Sequence, residues 1–588
     1  MLRRTTLALS ICCSILAAQG ADAAGRTLLR MADIAEPVRA HALIDNSAFL
    51  PPADAQVAHE AFSGTLGIGE APMFTIPVEF KSDQVLGKDP QLFPGVALSF
   101  VSIGDNLVPQ TQDIIRNGSL GGGRSFWDII VQPGKVWSEA TDDGWSRASF
   151  PFSLMNSIEG ETHNGVATFL YKGTQVSRIR YQILTQTSPF YVEDYFTASG
   201  ALEAAYKPGK LLEEASIKAT YETSQAVAEK ILPWSELEKK FGKDKLAGFD
   251  SKIRPAEIVL DGLSIDDSFY LKSCPTPVGE LPFCDRQRFG VWSVTKSAGN
   301  TAAMLAIAEK YGPEIFDTRL VDYITEARDA PGWKDVTFGD ALNMATGMGN
   351  GSDKATPAAI SDPLGKAYYA WYEARTTKDK IDALLKGAKP YPWGPGKVAR
   401  YRDEDMFLLG VAMTRYLQSK EGPAANVWDF LKREVYQPIG ISYAPINKTI
   451  EADPKQDQPL MAYGFYPTIG DLIKIARLYQ NGGKFQGRQI FNAQRLADLM
   501  PAKQAVGLAT GNPEKPEYYK AFWRSSYKAA SGCTFSFPIM DGWGENYVLL
   551  LPKDVTVFRL AKNWDGDAGA GELGNMTAVA GRLKDLCD

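Results

Sequence analysis

Histidine is nearly absent from this chain. Only His41, His59 and His163 occur among 588 residues, all in the first third. A Ser-His-Asp triad or a histidine-rich zinc site built within the later part is therefore excluded. Long apolar runs are also scarce: beyond the first 23 residues none reaches the roughly 20 residues that a membrane span needs. No strong excess of one charge is present either. The net charge of −6 argues against a nucleic-acid partner. What remains is ordinary for a globular protein, with 45% hydrophobic and 22% charged residues and enough length for more than one domain with ample core.

The N-terminus reads as a secretory signal peptide over 1–23. Arg3-Arg4 is its basic part, Leu7 to Ala18 its short apolar part, and Ala21-Asp-Ala23 an A-x-A cleavage site. A periplasmic or secreted location follows as the expectation, by the general secretion route. Cys12 and Cys13 would leave with the peptide. Four cysteines remain, Cys274, Cys284, Cys533 and Cys587, and an even number in an exported chain suggests disulfides. Three pairings are open, besides four buried thiols. Closeness in sequence favours Cys274 with Cys284, which leaves Cys533 with Cys587.

Residues 26–205 look β-rich. Val176 to Ile183 alternates polar and apolar as a half-exposed strand does, while Gly165–Tyr171 and Val96–Val101 read as buried strands. A sandwich-like domain is expected there. Phe126, Trp127, Trp137, Trp145 and Phe150 suit either a ligand platform or, more ordinarily, a core. No catalytic constellation is visible in this part, whose partner would be an envelope component or another protein. Residues 206–249, after Lys207-Pro-Gly-Lys210, are charged and helix-prone and lead into a second domain over 250–588.

That second domain is organised around Trp292-Ser293-Val-Thr-Lys296-Ser297. Residues three apart share a helix face. Ser293 and Lys296 would then stand together at a helix start, beside free backbone N–H groups that favour a developing negative charge. A lysine whose pKa is lowered by burial can take the proton that a serine must lose to become a nucleophile. The motif alone is weak, since roughly two or three chance Ser-x-x-Lys matches are expected in a chain this long; Ser525-Ser-Tyr-Lys528 is one. Thr301 to Tyr311 strengthens it: helix-forming, apolar on most sides, and stopped by Gly312-Pro313.

Further stretches follow in order: Leu320–Ile324, Trp333 to Gly347, Gly394-Pro-Gly396 with Tyr401-Arg-Asp403, Gln437–Gly440, Asn481-Gly-Gly483, and Gly542-Trp-Gly544 through Pro552. Together with Ser293 and Lys296 they resemble the serine β-lactamase-related family, which includes class C β-lactamases, D-alanyl-D-alanine carboxypeptidases, family VIII esterases and 6-aminohexanoate-dimer hydrolases. Two departures stand out. Tyr401-Arg402-Asp403 replaces the commoner Tyr-x-Asn. Met540-Asp541-Gly542 lacks the Lys or His that the third motif usually carries.

The resemblance implies a three-layer α/β domain of the β-lactamase and penicillin-binding-protein type, with a helical lobe inserted after Ser293. It implies an acyl-enzyme route on an ester or amide, with Ser293 as nucleophile and Lys296 and Tyr401 moving protons. The Tyr401 hydroxyl, near a lysine ammonium, is expected to have a lowered pKa. The backbone N–H groups of Ser293 and Trp543 would form the oxyanion hole, and Asp403, Asp541 and Gly542 would line the substrate site. Neither metal nor organic cofactor is called for, and the partner is a small molecule or short peptide. Without the third-motif cation, neutral esters or amides suit the site better than β-lactams. Arg524 or Lys528 could restore that charge from outside the motif. Tyr368, Tyr369, Trp371 and Tyr372 suggest either an apolar substrate wall or core packing. The alternative function is a catalytically degenerate relative that serves as an envelope-binding or scaffold module.

Overall fold

The computed structural model describes residues 26–587 apart from 36–39, 81–84, 119–121, 353–355, 502–505 and 564–571. The expected signal peptide lies outside the described residues. Two large sheets carry the fold. The first holds twelve antiparallel strands, from Ser63–Ile68 to Ala204–Pro208. The expected sandwich is thus one continuous sheet. Its central strands, Ser146–Met155, His163–Lys172 and Ile179–Gln186, are buried almost throughout. Both faces are therefore covered, and the half-exposed strand expected near Val176–Ile183 is buried from Ile179 onward. Phe126, Trp127, Trp137 and Phe150 are core residues; the rings of Phe126, Trp127 and Phe150 pack edge-to-face or tilted against neighbours such as His163 and Phe169.

The second sheet has nine strands. From one edge they run Ile231–Pro233, Ser268–Ser273, Ile258–Ile265, Thr556–Ala561, Asn546–Leu550, Thr534–Gly542, Phe522–Lys528, Glu517–Tyr519 and Leu508–Ala509. All pairs are antiparallel except the first. Residues 206–249, expected to be helix-prone, hold the helices Glu214–Ala226 and Trp234–Phe241 and the edge strand Ile231–Pro233. Phe535, Phe537 and Ile539 pack on one face with Trp234, Leu237, Met576 and Val579 from flanking helices. Met540, Val548 and Phe558 pack on the other with Ala302–Ala308 and Ile473. Helices on both faces of a sheet make three layers. A lobe of helices, the longest Asp403–Glu421, separates Tyr311 from the helix Ile469–Gln480.

The two sheets share one apolar core that runs from Leu29 to Leu560. Polar contacts reinforce it. Asn164 Nδ2 donates to Gln287 Oε1 at 3.1 Å and to Arg288 O at 2.8 Å, and Gly290 N donates to Thr162 Oγ1 at 2.9 Å. The stretch just before Ser293 is therefore built against the first sheet. Cys274 pairs with Cys284 and Cys533 with Cys587. Among the described residues no helix is long and apolar enough to cross a membrane.

Candidate active site

The helix expected from the sequence spans Ala302–Tyr311 and ends at Gly312, whose φ is 110°. Ahead of it Lys296–Thr301 form a wider π-helical turn, a feature that recurs at functional sites. Side chains anchor this turn. Ser297 Oγ donates to Ala521 O and Thr301 Oγ1 to Lys520 O, each at 2.6 Å, and Asn300 Nδ2 to Met461 O at 2.8 Å. Ser293 and Lys296 meet at its mouth: Lys296 Nζ donates to Ser293 Oγ at 2.5 Å and to Ala462 O at 2.8 Å. By contrast Ser525 and Lys528 sit on the strand Phe522–Lys528, where residues three apart point to opposite faces; that pair is the chance match.

Lys296 is fully enclosed. Asp403 Oδ1 stands 2.7 Å from its Nζ, and the Tyr401 ring centroid 4.9 Å away. Burial pulls the Lys296 ammonium below the ordinary lysine range, against the opposing pull of Asp403 and, more weakly, Asp541 and Glu404. Gly394 and Gly396, both at positive φ, turn the chain toward Tyr401, which precedes the helix that Asp403 begins. Tyr401 interacts with the Ser293 hydroxyl, yet its own pKa departs from the expectation. It is pushed well up, first by burial and then by the negative charges of Asp403 and Asp541. Burial and these charges outweigh the Ser293 hydrogen bond, so Tyr401 is a neutral hydroxyl. Asp403 also accepts from Tyr368 OH at 2.9 Å.

A cavity of about 740 Å³ opens onto Ser293, Tyr401, Asp403, Asp541, Gly542 and Trp543. Its lining also holds Tyr368 and Tyr372 from the lobe and Phe190 from the loop after the strand Ile179–Gln186. Trp371 is fully buried and belongs to the core. Gly542 is needed for close approach: a Cβ there would lie 2.2 Å from Val291 O. Met540 is buried in the core beside the Ala302 helix, and Asp541, next to it, is the residue that borders the cavity. The cation near this strand is Lys515, whose Nζ is 2.5 Å from Asp541 Oδ2. Arg524 and Lys528 do not restore the charge: Arg524 is buried and donates to Ser536 Oγ at 2.7 Å, and exposed Lys528 does not border the cavity. Glu545, in the turn after Gly542, also faces the cavity, and burial raises its carboxyl to about 7. Among the described residues no His, Cys, Asp or Glu cluster is arranged to hold a metal.

No family model and no curated protein matches the sequence. Solved structures with partial likeness exist. A class C β-lactamase is 15% identical, with 59% of this chain and 98% of that one covered at a TM-score of 0.41. A family VIII carboxylesterase is 16% identical, with 58% and 97% covered at 0.39. A class C β-lactamase from Rhodobacter sphaeroides is 16% identical, with 58% and 99% covered at 0.39.

Phe190, Lys515 and Glu545 escaped the sequence reading. Each reaches the cavity from a separate element, and no local spacing marks it. Tyr368 and Tyr372, by contrast, line the cavity as one of the two alternatives read from the sequence had it.

Proposed function

We propose that this chain is an exported serine hydrolase that cleaves a neutral ester or amide through an acyl-enzyme. The observation that carries the reading is the 2.5 Å contact between Lys296 Nζ and Ser293 Oγ, made where burial lowers the lysine pKa. A lysine whose ammonium gives up its proton readily, held against a serine hydroxyl, is as the free amine a general base in place. The Ser293 Oγ–H proton passes to Lys296 as Oγ attacks the substrate carbonyl. Negative charge then grows on the carbonyl oxygen, and the N–H groups of Ser293 and Trp543 are the donors suited to it. Tyr401, held neutral beside Ser293, relays the proton to the departing alcohol or amine. Water attacks the acyl-enzyme by the reverse sequence and releases the acid. Paired Cys274–Cys284 and Cys533–Cys587 suit an exported protein.

The test is labelling with a fluorescent fluorophosphonate, with hydrolysis of a short nitrophenyl ester measured alongside. Both are expected in the wild type, neither in Ser293→Ala, and both in Ser525→Ala. Full activity in Ser293→Ala would overturn the mechanism.

A further inference from the structure

The first sheet reaches into the cavity through one segment, Thr187–Tyr191, which follows the strand Ile179–Gln186. Two successive carbonyls of this segment hold two indoles. Ser188 O accepts from Trp292 Nε1 at 2.7 Å, and Pro189 O accepts from Trp543 Nε1 at 3.3 Å. Trp292 directly precedes Ser293. Trp543 is the other residue whose backbone N–H the proposed oxyanion hole uses. One short segment of a different sheet therefore grips both sides of that hole.

The backbones around it leave no slack. A Cβ on Gly544 would fall 1.9 Å from Ser188 Oγ, and one on Gly542 2.2 Å from Val291 O. Residues 188, 291 and 542–544 thus pack directly on one another. Trp292 itself has φ of 47°, a left-handed conformation that is strained for a bulky residue and persists only where its surroundings enforce it. The enforcement comes from the first sheet on two sides. Ser188 O holds the indole N–H, and Gly160 lies under the ring, where a Cβ would approach to 3.1 Å. Glu159 joins the two gripping loops, since its Oε1 accepts from Phe190 N at 2.9 Å and Tyr191 N at 2.7 Å.

We propose that Thr187–Tyr191 is a positioning element of the hydrolytic site: through the Trp292 and Trp543 indoles it sets the separation of the two oxyanion donors. This rests on the serine hydrolase reading. Ser188 and Pro189 touch no substrate; they act through the tryptophans. The first sheet is then a working part of the site.

Trp292→Phe and Trp543→Phe each keep a ring and remove the N–H donor. In each, kcat for a neutral nitrophenyl ester is expected to fall roughly tenfold or more, since misplaced oxyanion donors lose transition-state stabilisation. KM should stay near the wild-type value. Affinity for an arylboronic acid, which forms a tetrahedral adduct on the serine, should fall in parallel with kcat. Trp137→Phe is the control. It breaks an indole bond in the same sheet, Trp137 Nε1 to Glu139 Oε1 at 2.8 Å, and should lower Tm while kcat and boronate affinity hold. Wild-type kcat in Trp292→Phe would overturn the proposal, as would equal kcat losses in all three variants. Should the wild-type protein neither hydrolyse nor label, the hydrolase reading fails by itself. Hydrogen exchange then decides the clamp: protection of 187–191 and 542–545 lost in Trp292→Phe supports it, and protection unchanged overturns it.

Discussion

The Lys515 ammonium stands 2.5 Å from the Asp541 carboxylate, held over the rings of Trp523 and Tyr547 at 5.0 and 5.4 Å. The cation missing from the strand Thr534–Gly542 is thus supplied by the loop before Glu517–Tyr519, already committed to a partner. Among the described residues, Asp541, Glu545 and Glu514 border this end of the cavity together with Lys515.

That balance disfavours a substrate carboxylate. Short nitrophenyl esters are expected to turn over faster than penicillins or nitrocefin. Lys515→Met, which leaves Asp541 unpaired, should raise KM for a carboxylate-bearing substrate and change KM for a neutral ester little. Steady-state rates with both substrate types check this; a penicillin turned over faster than the ester contradicts it.

Lys296 should govern the pH profile. Its lowered pKa means that the amine becomes free below the ordinary lysine range of about 10.4. Labelling rate should therefore rise with pH and level off before that range. Lys296→Arg should be inactive at every pH, because arginine keeps its proton. Near-wild-type acylation in that variant would remove the lysine from the role of base.

Tyr401→Phe separates a relay from a base. Losing a general acid typically costs about 10²–10⁴ in rate, and kcat should drop on that scale. Because burial and Asp403 keep the hydroxyl neutral, the pH midpoint of the residual activity should stay with Lys296. A midpoint that disappears with the tyrosine would assign it the base role instead.

A second buried lysine predicts a stability effect. Lys380 donates to Trp371 O and Tyr372 O at 3.0 Å each, and burial lowers it to about 7. Between pH 7 and its unfolded value near 10.4 the unfolded chain binds the extra proton, so stability rises with pH across that window. The slope from this one group reaches about 1.4 kcal/mol per pH unit. In Lys380→Met the slope should flatten, as urea unfolding between pH 7 and 9 can show.

What the sequence made legible was local. Ser293 and Lys296 meet because a helix puts residues three apart on one face, and Gly312-Pro313 marks where that helix stops. Gly394 and Gly396, both at positive φ, shape the turn before Tyr401. The pKa of Tyr401 moves opposite to the expectation because it depends on enclosure and on how near Asp403 and Asp541 come, and the motifs give those residues but not their approach. The apolar runs near 96–101 and 165–171 are strands, the second buried as expected and the first with alternate side chains reaching solvent, but such runs do not say whether strands close into one sheet or two. Lys515, Glu545 and Phe190 converge only through tertiary packing. The largest surprise, that residues before Ser293 are bolted to the first sheet through Asn164 and Thr162, joins positions more than a hundred residues apart.

The π-helical turn at Lys296–Thr301 also fixes a phase. An α-helix advances about 100° per residue, and the wider turn absorbs one residue that a regular helix would not accommodate. Removing any single residue from 297–300 could restore regular winding while swinging Ser293 and Lys296 about a quarter-turn or more around the axis, away from Tyr401 and Ala462. This stretch should therefore accept substitutions far more readily than a change in length, so that the frame of the helix, as much as the identity of its residues, keeps the serine facing the cavity.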